Sequence, residues 1–438
     1  MTGAAPKQPA TSQVASAGTT VTTTATETTT SPTATATTRF SGLEGLRTIG
    51  VIAVFFTHNG FATGVTFGSS WKVTVAHHSF RPASLLGHLE IGPAIFFMIS
   101  AFLLYRPFVT AAFRDTAAPS SLRFLRRRCV RVFPAYWIAI AGLAATHSIA
   151  LQGFGHWIKV LTLTQIYTEH DFGAINTLVP TWTLATELTF YFFLVGYALL
   201  LRRIGRGLAP SKRLRLELGA VGALLVSAAL FRELVYNWSA LPHVAEHWLP
   251  GTIDLFALGL GLAAIDAFVR SGNPVPRSIA VIVRRPNVCA MVAFGWYLAV
   301  PVFTNASMGI DFSTGWDAFG RDLFQMLCAF SLFVPLVFGD QSVGWYRKLV
   351  QLKPMAFVGM VSYGIYLWHD HWIVEALRWS GGRVALTGHF WLVGISAFAV
   401  SLVFGAVSYF AIEQPALEFD ARRAKRGAVR VANSSVLP

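Results

Sequence analysis

Arg47 and His58 are the residues whose types and spacing are best suited to chemistry. They flank an apolar stretch, Ile49-Gly50-Val51-Ile52-Ala53-Val54-Phe55-Phe56. At about 100° per residue, the steps from 47 to 58 come within about 20° of three full turns. Both side chains therefore share a helix face, about 16 Å apart along the axis. Ionisable groups at membrane depth are costly, so they face a bundle interior or a wet cavity. A histidine placed there is a proton-transfer centre, and an arginine near the helix start attracts an anion. The alternative is a polar pair that only packs helices together.

Four further strings carry chemistry-bearing residues. One is Arg127-Arg128-Cys129-Val130-Arg131-Val132-Phe133-Pro134-Ala135-Tyr136-Trp137, with its arginines at the mouth of an apolar span and a proline near the helix start. Guanidinium forks pair bidentately with phosphate, so such a mouth suits a polyphosphate, although anchoring to lipid also uses arginine. The second is Trp182-Thr183-Leu184-Ala185-Thr186-Glu187, in which an unpaired carboxylate would be expensive. A histidine or arginine partner is the natural remedy for Glu187. The third, Ser362-Tyr363-Gly364-Ile365-Tyr366-Leu367-Trp368-His369, is too dense in polar groups to be only an interfacial aromatic belt. The fourth, Gly92-Pro93-Ala94-Ile95-Phe96-Phe97-Met98-Ile99-Ser100-Ala101-Phe102, mixes aromatic and small residues that permit close helix contact.

The elements that position these residues are membrane helices. Of the 438 residues 54% are hydrophobic and 13% charged, with a mean hydropathy of +0.52, too apolar for a soluble chain of this length. Ten spans are expected, near 43–62, 88–106, 132–150, 182–201, 216–232, 250–269, 288–304, 319–339, 356–378 and 389–412. Basic residues crowd alternate loops: Arg123 to Arg131, Arg202 to Arg215, Arg270 to Arg285, Arg347 to Lys353, and Arg422 to Arg430. The intervening loops carry little beyond Lys72, Arg81, Lys159, Arg232 and Arg383. This alternation predicts an all-α polytopic bundle with both termini cytoplasmic. It also accounts for the net charge of +14 at a lipid surface, with no nucleic acid as partner.

Residues 1–38 are mostly Thr, Ala and Ser and cannot bury enough surface to offset chain entropy, so a disordered tail is expected. A membrane domain over 39–419 and a short basic tail over 420–438 complete the expected organisation. The three cysteines, Cys129, Cys289 and Cys328, give neither a disulfide framework nor a zinc spacing. The histidines, His77-His78 and His369-x-His371 among them, show no helical metal-ligand spacing, so no metal is expected.

Taken in order, these strings resemble the acyltransferase 3 family of integral membrane acyltransferases, over about Arg39 to Phe419. The matching motifs are Arg47 with His58; Phe96, Phe97, Ser100 and Phe102; Arg128 and Arg131 before Pro134, Tyr136 and Trp137; Trp182, Thr183, Leu184 and Glu187; and Ser362, Tyr363, Tyr366, Leu367 and His369. Departures are Ser100-Ala101 for the usual Ser-Gly, a single Glu187 where acidic pairs are common, and Glu413-Gln414-Pro415 at the close.

The resemblance implies acyl transfer, commonly acetyl, from cytoplasmic acyl-CoA to a hydroxyl of a glycan, glycolipid or small molecule at a bacterial cell membrane. Residue chemistry agrees, because ester formation needs a base near neutrality and positive charge where the donor's phosphates arrive. The expected roles are His58 as general base or transient acyl acceptor, Arg47 holding the donor's phosphate or thioester end, and Glu187 orienting His58. Arg128 and Arg131, with Arg127 behind them, are the donor-phosphate candidates, and His369 is a second catalytic candidate. The rival readings are O-acylation of a diffusible metabolite of macrolide type, and transport of acylated lipids.

Overall fold

A bilayer offers the backbone no hydrogen-bond partners, so a spanning segment must satisfy its own N–H and C=O groups as a helix. The computed structural model describes residues 40, 42–66, 73–75, 78–80, 82–149, 153–168, 179–238, 241–303, 315–381 and 389–434. The segment 1–38, Lys72, His77, Arg81 and Arg383 lie outside the described residues. Within them the protein is helical apart from a short antiparallel ladder, β1 (Val73–Val75) against β2 (His78–Phe80).

The helices are α1 (Leu43–Ala62), α2 (Ile91–Phe113), α3 (Ser121–Ala145), α4 (Gly153–Leu161), α5 (Trp182–Ile204) and α6 (Pro210–Tyr236). Then follow α7 (Leu249–Arg270), α8 (Arg277–Val283), α9 (Pro286–Phe303), α10 (Gly315–Val337) and α11 (Trp345–Val350). The chain ends with α12 (Lys353–Met360), α13 (Ser362–Trp379), α14 (Phe390–Ser408), a π-helical turn at Tyr409–Glu413, and α15 (Gln414–Ser434). Among the described residues, eight helices are long and apolar enough to cross a membrane, and they coincide with eight of the ten expected spans. The exceptions are α1 and the α12–α13 segment, both of which carry polar groups inside the apolar run. The protein is thus a multi-pass membrane protein.

Burial separates the middle of the bundle from its rim. In α7, 83% of the apolar window is buried, whereas in α6 only 22% is, so α7 runs through the core and α6 faces outward. Phe256 of α7 shows why: it stacks between Phe97 of α2, at 4.3 Å, and Phe190 of α5, at 4.0 Å between ring centroids. Exposed Leu230, Phe294, Ile395 and Val403 line the outer faces, which suits contact with lipid tails.

Three expectations need correction. The span read as one helix over 356–378 is two, α12 and α13, broken at Val361. The reason is close backbone contact: a Cβ on Gly359 would meet the Glu44 carbonyl oxygen at 1.7 Å, so α12 lies directly on α1. The arginines 127, 128 and 131 sit on α3 itself, which starts at Ser121 and carries Pro134 well inside. Ser120 caps it by accepting from the Arg123 backbone N–H. Finally, Arg232 is no loop residue. It lies on α6, is 1% exposed, and its charge is matched by buried carboxylates rather than lipid. At the C-terminus, the segment from 420 continues as helix to Ser434, and Asp420 pairs with Arg126 of α3 at 2.9 Å.

Candidate active site

α1 packs against α2, α12 and α13, and the last of these contacts joins the two candidate histidines. His58 Nδ1 lies 2.9 Å from His369 Nε2, and His369 Nδ1 lies 2.8 Å from the Tyr366 carbonyl oxygen. These contacts fix the tautomers of two neutral imidazoles, because a carbonyl oxygen only accepts. His369 Nδ1–H donates to Tyr366, so its Nε2 accepts, so His58 Nδ1–H donates. The lone pair of His58 Nε2 is then the one left over, and His58 borders a cavity. This is the arrangement a general base requires, with the far nitrogen held and the near one free. A carboxylate oxygen of Asp370 lies within 4.8 Å of both rings' ligand atoms, so His58, His369 and Asp370 form the one group able to surround a cation among the described residues. The 2.9 Å separation of the two ring nitrogens is a hydrogen-bond length, shorter than the spacing of about 3.3 Å that tetrahedral Zn–N bonds would impose.

Arg47 opens on a different space. A cavity of about 120 Å³ is lined by Arg47, Arg128, Arg131, Glu187, Tyr191 and Ser100, with apolar walls from α2. Three arginines therefore face one carboxylate. Glu187 accepts from Ser100 Oγ at 2.5 Å, and Arg128 Nε is buried with no hydrogen bond. Arg127 is exposed and stays outside this lining. Glu187 consequently belongs with the arginines. Its hydrogen bond goes to α2 and not to His58, whose partner is His369. The expected Glu187–His58 pairing is not what the fold builds, because α1 and α5 both pack on α2 while His58 turns to α13.

His58 lines the second cavity, of about 310 Å³, together with Glu90, Trp182, Glu246, Arg321, Asp322 and Gln325. Sequence reasoning missed most of these. Arg232 holds Asp254 bidentately at 2.7 and 3.0 Å and reaches Asp322 at 2.5 Å, while Arg321 pairs with the other oxygen of Asp322 at 2.7 Å. Glu246 accepts from Tyr236. The signal was present: Asp254, Arg321 and Asp322 are ionisable residues inside apolar runs, the same criterion that singled out Glu187. Pro93, Thr183 and Tyr366 line both cavities and form the wall between them. Tyr366 Oη donates to the Pro180 carbonyl and sits 2.7 Å from Thr183 Oγ1, so the wall is closed by hydrogen bonds.

The comparison with known proteins decides the family. A family model described as an acyltransferase domain matches residues 40–410, nearly all of the described chain. The chain belongs to the acyltransferase 3 family. Among curated relatives, the chain is 23% identical over 353 residues to a peptidoglycan O-acetyltransferase of Listeria monocytogenes, covering 76% of this chain and 50% of that protein. It is 24% identical over 356 residues to an exopolysaccharide production protein of Rhizobium meliloti, covering 77% of this chain and 94% of that one. The chain thus spans about half the length of the Listeria relative. No solved structure matches it.

Proposed function

We propose that this protein is a membrane-bound O-acyltransferase that carries an acyl group, in the first instance acetyl, from cytoplasmic acyl-CoA to a hydroxyl of a cell-envelope glycan or glycolipid. Both termini lie on the cytoplasmic side in this reading. The observation that carries it is the relay Tyr366 C=O, His369, His58, which leaves one imidazole lone pair beside a cavity that shares a wall with an arginine-lined one.

Arg128 and Arg131 hold the donor's phosphates, and Arg47 holds the thioester end nearer the wall. The acceptor occupies the larger cavity. With both substrates bound, the Tyr366 side chain swings off Pro180 and Thr183 to let the thioester through. The acceptor's hydroxyl proton passes to His58 Nε2 as the oxygen attacks the thioester carbonyl, the C–S bond breaks and coenzyme A leaves as thiolate. His58 then carries a positive charge, while its Nδ1–H still donates to His369, so the relay keeps the ring oriented through the step. A version in which His58 Nε2 first takes the acyl group uses the same geometry, and intact-protein mass spectrometry after donor addition separates the two. The acceptor class follows the relatives, one named for peptidoglycan O-acetylation and one for exopolysaccharide production.

The test is purified protein in detergent with radiolabelled acetyl-CoA and peptidoglycan or exopolysaccharide fragments. Alkali-labile acetyl ester on the glycan is the expected product. Movement of a preformed acetylated lipid in reconstituted vesicles, with no ester made in either format, would replace this reading with transport.

A further inference from the structure

A third cavity, of about 180 Å³, lies where α2 ends, α5 ends and α6 begins, and it shares no lining residue with the two already described. Arg202, Arg206 and Arg213 line it, with Asp115 as its acidic member and Phe113 on its apolar side. Helix capping explains part of this cluster. Arg213 Nη1 donates to the Gly205 carbonyl at 3.1 Å, and Arg202 Nη2 donates to the Thr116 carbonyl at 2.7 Å, as basic residues at helix C-termini do.

Capping leaves the larger share of the donors idle. Arg213 is 5% exposed, yet its Nε and Nη2 have no hydrogen-bond partner, and neither has Arg202 Nη1, though all three atoms are buried. A buried guanidinium N–H without a partner costs roughly 1–3 kcal/mol. No ion pair joins Arg213 to a carboxylate among the described residues. Glu217, one turn further along α6, accepts from Tyr105 at 2.7 Å instead. The guanidinium is nonetheless held in place. Its Cζ stands 5.6 Å from the Phe113 ring centroid, and a Cβ on Gly205 would meet that Cζ at 3.2 Å, so glycine leaves room for it. A fixed, buried fork with free N–H groups, a second fork beside it and a third arginine at the rim match the oxygens of a phosphate.

We propose that this cavity binds a phosphate ester, either the headgroup of an anionic phospholipid or the nucleotide end of a coenzyme. Arg213 and Arg202 take the phosphate oxygens, and exposed Arg206 adds charge at the opening. The site is separate from the donor cavity and does not depend on the function proposed above.

The experiment uses full-length protein in detergent with two probes. Native mass spectrometry follows retention of phosphatidylglycerol against phosphatidylcholine. Calorimetry follows adenosine 3′,5′-bisphosphate, in the Arg128→Ala/Arg131→Ala background so that the donor cavity does not contribute. A retained phosphatidylglycerol adduct identifies the lipid source, and stoichiometric bisphosphate binding the nucleotide source. In either case Arg202→Gln/Arg206→Gln/Arg213→Gln, checked for monodispersity, is expected to bind about 10- to 100-fold more weakly. If that variant does not purify, Arg206→Glu decides, since its side chain is at the surface: several-fold weaker binding supports the site. Neither probe binding wild-type protein, or a purified variant binding like wild type, overturns it.

Discussion

The two cavities on either side of Tyr366 differ in how their charges are satisfied. In the smaller one, Arg47, Arg128 and Arg131 share a lining with a single carboxylate, Glu187, which is bonded by Ser100 and Tyr191, while Glu44 and Glu413 act on Arg47 and Arg131 from outside it. In the larger one, Asp322 is clamped between Arg232 and Arg321, Arg232 also holds Asp254, and Glu90 and Glu246 act on Arg321, so cations and carboxyls close on one another. An excess of cation over carboxylate in the lining of a low-dielectric cavity favours an anion brought by a ligand. A closed ion chain needs none and presents polar edges to a neutral molecule. This asymmetry suits phosphates on the first side and a polyhydroxylated acceptor on the second, with His58 on the acceptor's side of the wall.

The largest expected effect falls on the residue that links the two. His58→Gln is expected to lower glycan acetylation by about 10²–10⁴, since a general base typically supplies that much and Gln takes no proton near pH 7. Acetyl-CoA affinity should be unchanged, because His58 does not line the arginine cavity. His369→Gln should cost less, since Gln can still accept from His58 Nδ1–H. Near-normal ester synthesis by His58→Gln would move the base elsewhere and dissolve the two-sided reading of the site.

Next comes the ion chain. Arg232→Met leaves Asp254 and Asp322 short of a partner in a buried setting, and breaking such a pair costs about 3–5 kcal/mol. The expected result is a clearly lower melting temperature in detergent. Arg232→Met/Asp254→Leu should recover part of it, since apolar replacement of a buried pair is often neutral. A variant that melted like wild type but lost activity would make the chain part of catalysis rather than of the scaffold.

The arginine cavity should behave in the opposite way. Arg128→Ala and Arg131→Ala are each expected to raise the acetyl-CoA KM by about 10- to 100-fold, the worth of a hydrogen bond to a charged group. The melting temperature should fall less than in Arg232→Met, since neither arginine makes an ion pair among the described residues, although Arg131 does act on the buried Glu413 carboxyl. Lys at either position restores charge but not the bidentate fork, so rescue should be partial. Unchanged KM in the Arg128→Ala/Arg131→Ala double variant would leave these residues as lipid anchors and remove the contrast between the cavities.

The contrast also explains what the sequence made legible. Arg47, His58, Glu187 and His369 stand out because each interrupts an apolar run, and the structure brings His58 to His369 and Glu187 into the lining that holds Arg47. The pairing itself was not legible. His58 and His369 are joined across most of the chain, and no local period encodes which helix packs on α1. Arg232 was misplaced for a related reason: near the end of a span, a lipid anchor and a buried ion-pair partner look alike in sequence, and only the positions of Asp254 and Asp322 distinguish them. The break at Val361 escaped notice because hydropathy does not register Gly359 seated on the Glu44 carbonyl. Eight spans were legible because their apolar length alone defines them; α1 and the α12–α13 segment fall short because polar side chains interrupt their apolar runs.

The smallest expected effect tests the wall. Tyr366→Phe keeps the ring that packs edge-on to Phe96 but removes the hydroxyl that joins Thr183 and the Pro180 carbonyl. Losing one such hydrogen bond is worth about 0.5–1.5 kcal/mol, a change of a few-fold. Neither cavity loses a charge, so donor KM and melting temperature should barely move. Without the latch, however, the wall opens before an acceptor is bound, and water reaches the thioester from the histidine side. Acetyl-CoA hydrolysis without acceptor should therefore rise a few-fold while acetylation of glycan falls by a similar factor. A KM change like that of Arg128→Ala would instead place Tyr366 among the donor contacts. No change in hydrolysis would mean that the two cavities are kept apart by packing of Pro93 and the Tyr366 ring, and that the hydroxyl only fixes the ring's orientation.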